Sequence, residues 1–409
     1  MQKQASWPEG HWNWPIEVCH KHGIHCGDMI WIGGQVNLTP DGVVLNPGDL
    51  RRQTAEVVVN IGQVLSDFNA ELADLVYLNA FYVNDGGVDE GDFLQLLANQ
   101  LPSDVHTAIT PVPVEYLAYE GMLVEIEAYA MRSQQGDALA REYAPETAPG
   151  SRPEPFCTAL KCGKMIFVSA QSAIDDQGEL QGQGSIVEQS RAVASNLQRA
   201  LKHLGADFDD VVKTNRWYCG GDDIDDFEPA ALEFASHFTE PGPAATGIPL
   251  PRHANPEELI RIAVIAMVGE DGERLPRKHV WPESLWDWHV HLPYQHGLKC
   301  DNMIFLGGQV SLDKKGQAVH PEDLSAQTHQ AMAHIKTILN ELGADYADVC
   351  KVMTVYKGGC GADALHDNLP IRSSYFTDPG PATTGIPLPV LAYEGMCIEI
   401  DIYAMTNPD

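Results

Sequence analysis

Positive charge is scarce in this chain. Only 26 Lys and Arg stand against 57 Asp and Glu among 409 residues, a formal net charge of −31. Such a balance repels phosphate backbones, and the few cations are scattered, so nucleic-acid binding and a ribonuclease activity are disfavoured. Long apolar runs are missing too: no stretch approaches the ~18 apolar residues of a membrane span. The segment 1–10 has no apolar h-region. The nine cysteines are odd in number, and Cys26, Cys162 and Cys300 recur at one equivalent position, which is no disulfide framework. They read as buried thiols beside a core strand. The expectation is a soluble, cytoplasmic protein with reduced thiols.

What the chain does have is one motif written three times. Ile24–Val36, Leu160–Ser172 and Leu298–Val310 each read as a turn, an apolar strand and a small-small-Gln break. Their glutamines, Gln35, Gln171 and Gln309, stand 136 and 138 residues apart. Units one and three share the further offset of 274, from Trp7-Pro8-Glu9 against Trp281-Pro282-Glu283 to Ala130-Met131 against Ala404-Met405. The chain therefore divides into a unit at 1–131, a connector at 132–152, a unit at 153–268, a connector at 269–288 and a unit at 289–409.

Each unit parses alike. A hairpin signal (Asp41-Gly42, Gln177-Gly178, Lys315-Gly316) follows the Gln break. Then comes a long amphipathic helix, with Leu324, Ala331, Ile335, Ile338 and Leu342 at three- and four-residue steps in unit three. Asn69, Gly205 and Gly343 end these helices, residues that tolerate a left-handed C′ conformation. A strand, a shorter helix, a Pro-rich stretch and a last strand complete the unit. The last strand alternates: Glu125 and Glu127 share one face, and Val124, Ile126 and Ala128 the other. Unit three has Glu399 and Asp401 there, and unit two has Arg261 in the column of Glu125 and Glu399.

This order resembles the YjgF/Rid superfamily, as do Pro293-Tyr294 with Leu298 to Gln309 and Gly380-Pro381-Ala382 with Glu399-Ile400-Asp401. The resemblance covers almost the whole chain three times. It implies an α+β fold of three tandem chorismate-mutase-like units forming an intramolecular pseudo-trimer around a central barrel, with three non-identical ligand clefts. It implies hydrolysis of reactive imines and enamines, in which an arginine after the Pro-Ala pair holds a substrate carboxylate. That position is Thr383, Ala245 or Ile109 here, so the bidentate contact to carboxylate is missing.

Glu125 and Glu399 match the water-activating glutamate that the resemblance implies, and they read equally as solvated glutamates on a barrel face. Arg261 reads as a structural partner that neutralises them across the barrel axis. Gly34 and Gly308 allow a ligand close to the backbone, whereas Gln35 and Gln309 read as ligand contacts or as side chains bonding a bulge. Thr110, Thr246 and Thr384 form one column, suited to a neutral or carbonyl-bearing ligand. Tyr294, Tyr119 and Tyr393 read as cleft walls. His20, His22, His25 and Cys26 crowd together, but units two and three do not repeat the cluster, and no metal or cofactor is expected. The leading reading is a Rid-type small-molecule hydrolase or deaminase acting on a C–N or carbonyl-bearing metabolite, without the carboxylate-binding arginine. The alternative is a non-catalytic ligand-binding or scaffold protein. The partner is a small molecule, and Trp7, Trp12 and Trp281 are expected to be exposed and to cap a further contact, with dimerisation of the pseudo-trimer left open by the sequence.

Overall fold

The structure, a computed structural model, describes residues 3–84, 89–146 and 152–407. The stretch 147–151 of the first connector lies outside the described residues. The chain folds as mixed α+β, one helix-backed sheet per unit, with strand orders that repeat from unit to unit. The long helices are Leu50–Ser66, Ile186–His203 and Leu324–Glu341, each started by an Asp or Ser that accepts a backbone N–H from the first turn. After them, Asn69, Gly205 and Gly343 adopt φ of 55°, 77° and 80°, the left-handed stop that their residue types permit. The apolar stripe, Val57, Ile61, Val64 and Leu65 in unit one, lies buried on the sheet. The hairpins after the Gln breaks are reduced to single bridges, Leu38 with Val44, Ile174 with Leu180 and Leu312 with Ala318.

Both connectors do more than span units. Arg141–Ala144 and Arg277–Val280 are edge strands of the units that follow them, and Lys3–Ser6 plays that part for unit one. Each begins with a cation paired in register with a repeat cysteine: Lys3 with Cys26, Arg141 with Cys162, Arg277 with Cys300. The cation then reaches carbonyls of a neighbouring unit: Lys3 that of Val349, Arg141 that of Leu75 and Arg277 that of Val211. Since Lys3 belongs to unit one and Val349 to unit three, these contacts close a ring.

Inside the ring, the second face of all three sheets shares one core that includes Trp31, Tyr129, Phe167, Phe305 and Tyr403. A barrel closed by strand pairing is not what forms. Among the described residues, strand pairing between units is limited to short bridges, parallel at Lys21 with Ala382, Ala244 with Gln295 and Thr107-Ala108 with Phe156-Cys157, and antiparallel at Tyr119 with Gly361. Among the described residues no helix is long and apolar enough to cross a membrane.

Candidate functional site

The small-small-Gln break is a β-bulge. Register with the last strand shifts between Ile32 and Gln35 and between Val168 and Gln171. The bulge aims the second small residue at the neighbouring unit. Gly34 N–H donates to Thr384 Oγ1 at 2.9 Å, Gly308 N–H to Thr246 Oγ1 at 3.0 Å, and Ala170 N–H to Thr110 Oγ1 at 3.0 Å. The bulge amides and the threonine column therefore bond one another across unit boundaries. Gln35 is likewise spent within the protein. Its Oε1 accepts from Trp12 Nε1 at 3.0 Å, and its Nε2 donates to the Gly33 carbonyl at 3.1 Å. Gln309 does the same with Trp286 and Gly307. Unit two has no Trp segment, and Gln171 bonds only within its own bulge.

Gly34 and Gly308 are glycine for another reason. A Cβ on either would overlap the carboxylate of Glu125 or Glu399. The equivalent pair in unit two is Ala170 and Arg261, so the small residue and the charged one change together. Gly34→Ala is expected to cost about 1–3 kcal/mol as an overpacking substitution and to displace Glu125. Ala170→Gly, with no glutamate to make room for, should cost only about 0.5–1 kcal/mol. Denaturant unfolding of both variants checks this.

Both glutamates are buried at unit boundaries rather than solvated. Burial pushes Glu125 up to about 8, opposed by Lys351, with Glu127 adding to the rise. Burial and then Asp401 push Glu399 up to about 8, against Lys213 and Arg216. In the unfolded chain each would titrate near 4.5. Between pH 4.5 and 8 the fold thus binds more protons than the unfolded chain, and this contribution to stability is lost as pH rises through that window. The expected loss is on the order of a few kcal/mol per group. Melts at pH 5 and 8.5 should show it, and the Glu125→Gln/Glu399→Gln variant should largely remove it.

Two further ion pairs seal the same boundaries. Lys351 of unit three meets Glu127 of unit one at 2.7 Å, and Lys213 of unit two meets Asp401 of unit three at 2.9 Å. At the remaining boundary the corresponding residues are Tyr77 and Ala263. Tyr77 OH bonds Thr110 Oγ1 at 2.7 Å in place of the ammonium.

Opposite each glutamate lies a buried arginine that the sequence reading missed. Arg372 comes from the short helix Asp363–Ser373 and lines the unit one/three cleft with Glu125, Tyr119, Trp12, Trp14 and Thr383. Its Nη1 donates to Thr383 Oγ1 at 3.2 Å, the residue standing where the resemblance implied arginine. Burial pulls its pKa down to about 10, so it stays charged at neutral pH. Arg216 comes from the strand Val211–Cys219 at the unit three/two boundary, its guanidinium 5.0 Å from the Phe227 ring and 5.1 Å from that of Tyr294. Tyr294 is therefore a stacking partner, and Tyr119 OH meets His366 Nε2 at 3.0 Å. No shared spacing betrayed these arginines, because the two arise from different elements.

The third cleft, between units one and two, is built differently. Arg261 does not pair with Glu125 or Glu399, which corrects the cross-axis reading. Its Nε and Nη2 bond Glu258 at 3.0 and 2.6 Å, and its Nη1 bonds Glu90 at 2.9 Å. Burial opposes the Glu258 charge, yet Arg261 outweighs it and holds that carboxyl below its usual range. Trp12 is buried rather than exposed. His22 sits among the rings of Trp7, Trp12 and Trp14, and His20 bonds the Pro381 carbonyl, so the histidines face different neighbours.

The endoribonuclease L-PSP family profile matches residues 17–132, 147–268 and 288–406. The chain belongs to that family, as a three-unit YjgF/Rid fusion. A RutC family protein of Pyrococcus abyssi is 34% identical over 94 residues, 23% of this chain and 72% of that protein. A 2-iminobutanoate/2-iminopropanoate deaminase of Salmonella typhimurium is 34% identical over 83 residues, 20% of this chain and 59% of that one. Among solved structures, a chorismatase superposes with a TM-score of 0.53 at 12% identity, covering 81% of this chain and 93% of its own. That likeness concerns the fold, and it extends beyond two units of the Rid fusion.

Proposed function

We propose that this Rid fusion is a small-molecule hydrolase of the deaminase type, acting on a C–N or carbonyl-bearing metabolite in the clefts of Glu125 and Glu399. The observation that carries this reading is a carboxyl buried at each of two unit boundaries beside an arginine, Glu125 with Arg372 and Glu399 with Arg216, where burial raises the carboxyl well above its usual range. The deaminase named among its relatives supports the same reaction class.

A carboxyl that is protonated at neutral pH can give its proton to a C=N nitrogen and then, as carboxylate, take one from water. The water oxygen bonds to carbon as its proton passes to the carboxylate, the re-formed carboxyl protonates the amine nitrogen, and the C–N bond breaks to release ammonia as the hydroxyl becomes a carbonyl and returns its proton to the carboxylate. The pKa near 8 lets one group serve both roles close to neutral pH. The third cleft has Arg261 in place of the acid, held by two glutamates, and is inactive in this proposal. Turnover of a panel of imines, ureides and lactams by Glu125→Gln, Glu399→Gln and the double variant tests the assignment. Unchanged turnover in the folded double variant would remove both glutamates from the chemistry, and absence of turnover by the wild type across the panel would leave the non-catalytic binding reading in its place.

A further inference from the structure

Six of the eleven methionines line one cavity where all three units meet. Unit one gives Met29 and Met131, unit two Met165 and Met267, and unit three Met303 and Met405. They recur at the same offsets of 136 and 138 residues as the repeat glutamines. In each unit the first methionine starts the strand that leads into the Gln break, and the second ends the last strand. The two stand opposite each other in register, Met29 with Met131, Met165 with Met267 and Met303 with Met405. Their side chains therefore lie side by side on one face of each sheet. That face is the shared inner core, to which all six belong. A Cβ on Gly163 would meet Met131 Cε at 3.8 Å, which puts a thioether of unit one over the turn of unit two.

Core methionines ordinarily fill gaps, and interiors pack with few voids larger than a water molecule. Here the gap stays. The cavity offers about 380 Å³ to the centre of a water molecule and shares no lining residue with the unit one/three cleft. That volume falls in the ~300–1,000 Å³ range of small-molecule pockets.

The walls differ in character. The floor of thioethers is apolar, flexible and polarizable, and such groups make favourable contacts with aromatic rings. The polar lining comes from the turns and connectors, and it is unbalanced. Asp28, Glu270 and Asp301 stand against one cation, Lys164, a surplus of two negative charges. Lys164 is itself taken by Asp301, Nζ to Oδ2 at 2.7 Å. Asp28 and Glu270 are exposed, so the uncompensated charge lies toward water and the methionines lie beneath it.

We infer that this cavity binds an organic monocation with an apolar or aromatic body, the body on the six thioethers and the cationic head beside Asp28 and Glu270. The site lies outside the clefts of the hydrolase reading and stands or falls apart from it. The head stays among the exposed acids because sinking it onto the methionines would cost its hydration. The same acids repel carboxylates and phosphates. Flexible methionines adapt to the outline of a guest, so charge and bulk set the class of ligand more than exact shape does.

The test titrates the full chain, its methionines labelled with carbon-13 at the methyl group, with three probes. Benzyltrimethylammonium carries both head and body, tetramethylammonium the head alone, and neopentylbenzene, the neutral carbon isostere, the body alone. Benzyltrimethylammonium should bind at least about ten-fold tighter than either. It should shift the methyl signals of the six cavity methionines, assigned by single Leu substitutions, and leave those of Met122, Met332, Met353 and Met396 in place. Asp28→Asn/Glu270→Gln, which alters exposed side chains only, should weaken it by at least about three-fold. Equal binding of tetramethylammonium would reduce the effect to surface charge, and equal binding of neopentylbenzene would remove the role of the acids. Either result overturns the proposal, as do unmoved signals from the six methionines or an affinity indifferent to the acid substitutions.

Discussion

Glu125→Gln combined with Glu399→Gln lowers turnover by at least about 10²-fold, the lower end of what a positioned acid–base group contributes. Each single variant keeps the share of the untouched cleft for any substrate that both accept. Gln preserves the shape of each carboxyl, and removing a titratable group from a buried site should not unfold the chain. The pH dependence carries the same information. Because the protonated form starts the reaction, kcat/KM of the wild type should fall as pH rises through about 8. In either single variant the falling limb should belong to the remaining glutamate alone. Turnover retained within three-fold in the double variant would remove both residues from the chemistry.

Lys351→Met destabilises the protein by about 3–5 kcal/mol, the cost of leaving the buried Glu127 carboxylate without its cation. The distance is 2.7 Å, and both side chains are almost completely excluded from water. The chain also contains the remedy. At the unit two/one boundary the same two positions hold Ala263 and Tyr77, with the tyrosine hydroxyl bonded to Thr110 as Lys351 is to Thr384. Lys351→Tyr/Glu127→Ala should therefore recover most of the loss, since removing both partners of a buried pair is often close to neutral. Chemical denaturation of the two variants decides it. A double variant as unstable as Lys351→Met would mean that the ion pair is required for docking units one and three, and that the third boundary is held by other contacts.

Much of the fold was legible because each element writes its own local rule. The helices show in the spacing of Leu324, Ala331, Ile335 and Ile338, their ends in Asn69, Gly205 and Gly343, and the tandem architecture in three copies of one strand and break. Placing Glu125 and Glu399 in one column with Arg261 needed only the period of a strand. Less legible was what the columns do. The threonines and Gly34 amides looked open to ligand because a sequence does not show which unit lies across a boundary. In the fold they bond each other.

The arginines mark the sharpest divide. An alignment of the three repeats compares equal positions, and where the resemblance implied an arginine it gives Thr383, Ala245 and Ile109. Arg372 and Arg216 sit at unequal positions, one on a helix and one on a strand, and meet their glutamates only across unit boundaries. By itself the sequence determined the three units, their elements and the unlike character of unit two, since these follow from local periodicity and residue type. Only the tertiary structure decided which side chains face one another, that Arg261 is closed by Glu258 and Glu90, and that Arg372 and Arg216 come to lie beside Glu125 and Glu399. A long side chain can reach the same point from several backbone positions, and that convergence leaves no mark on the chain until it folds.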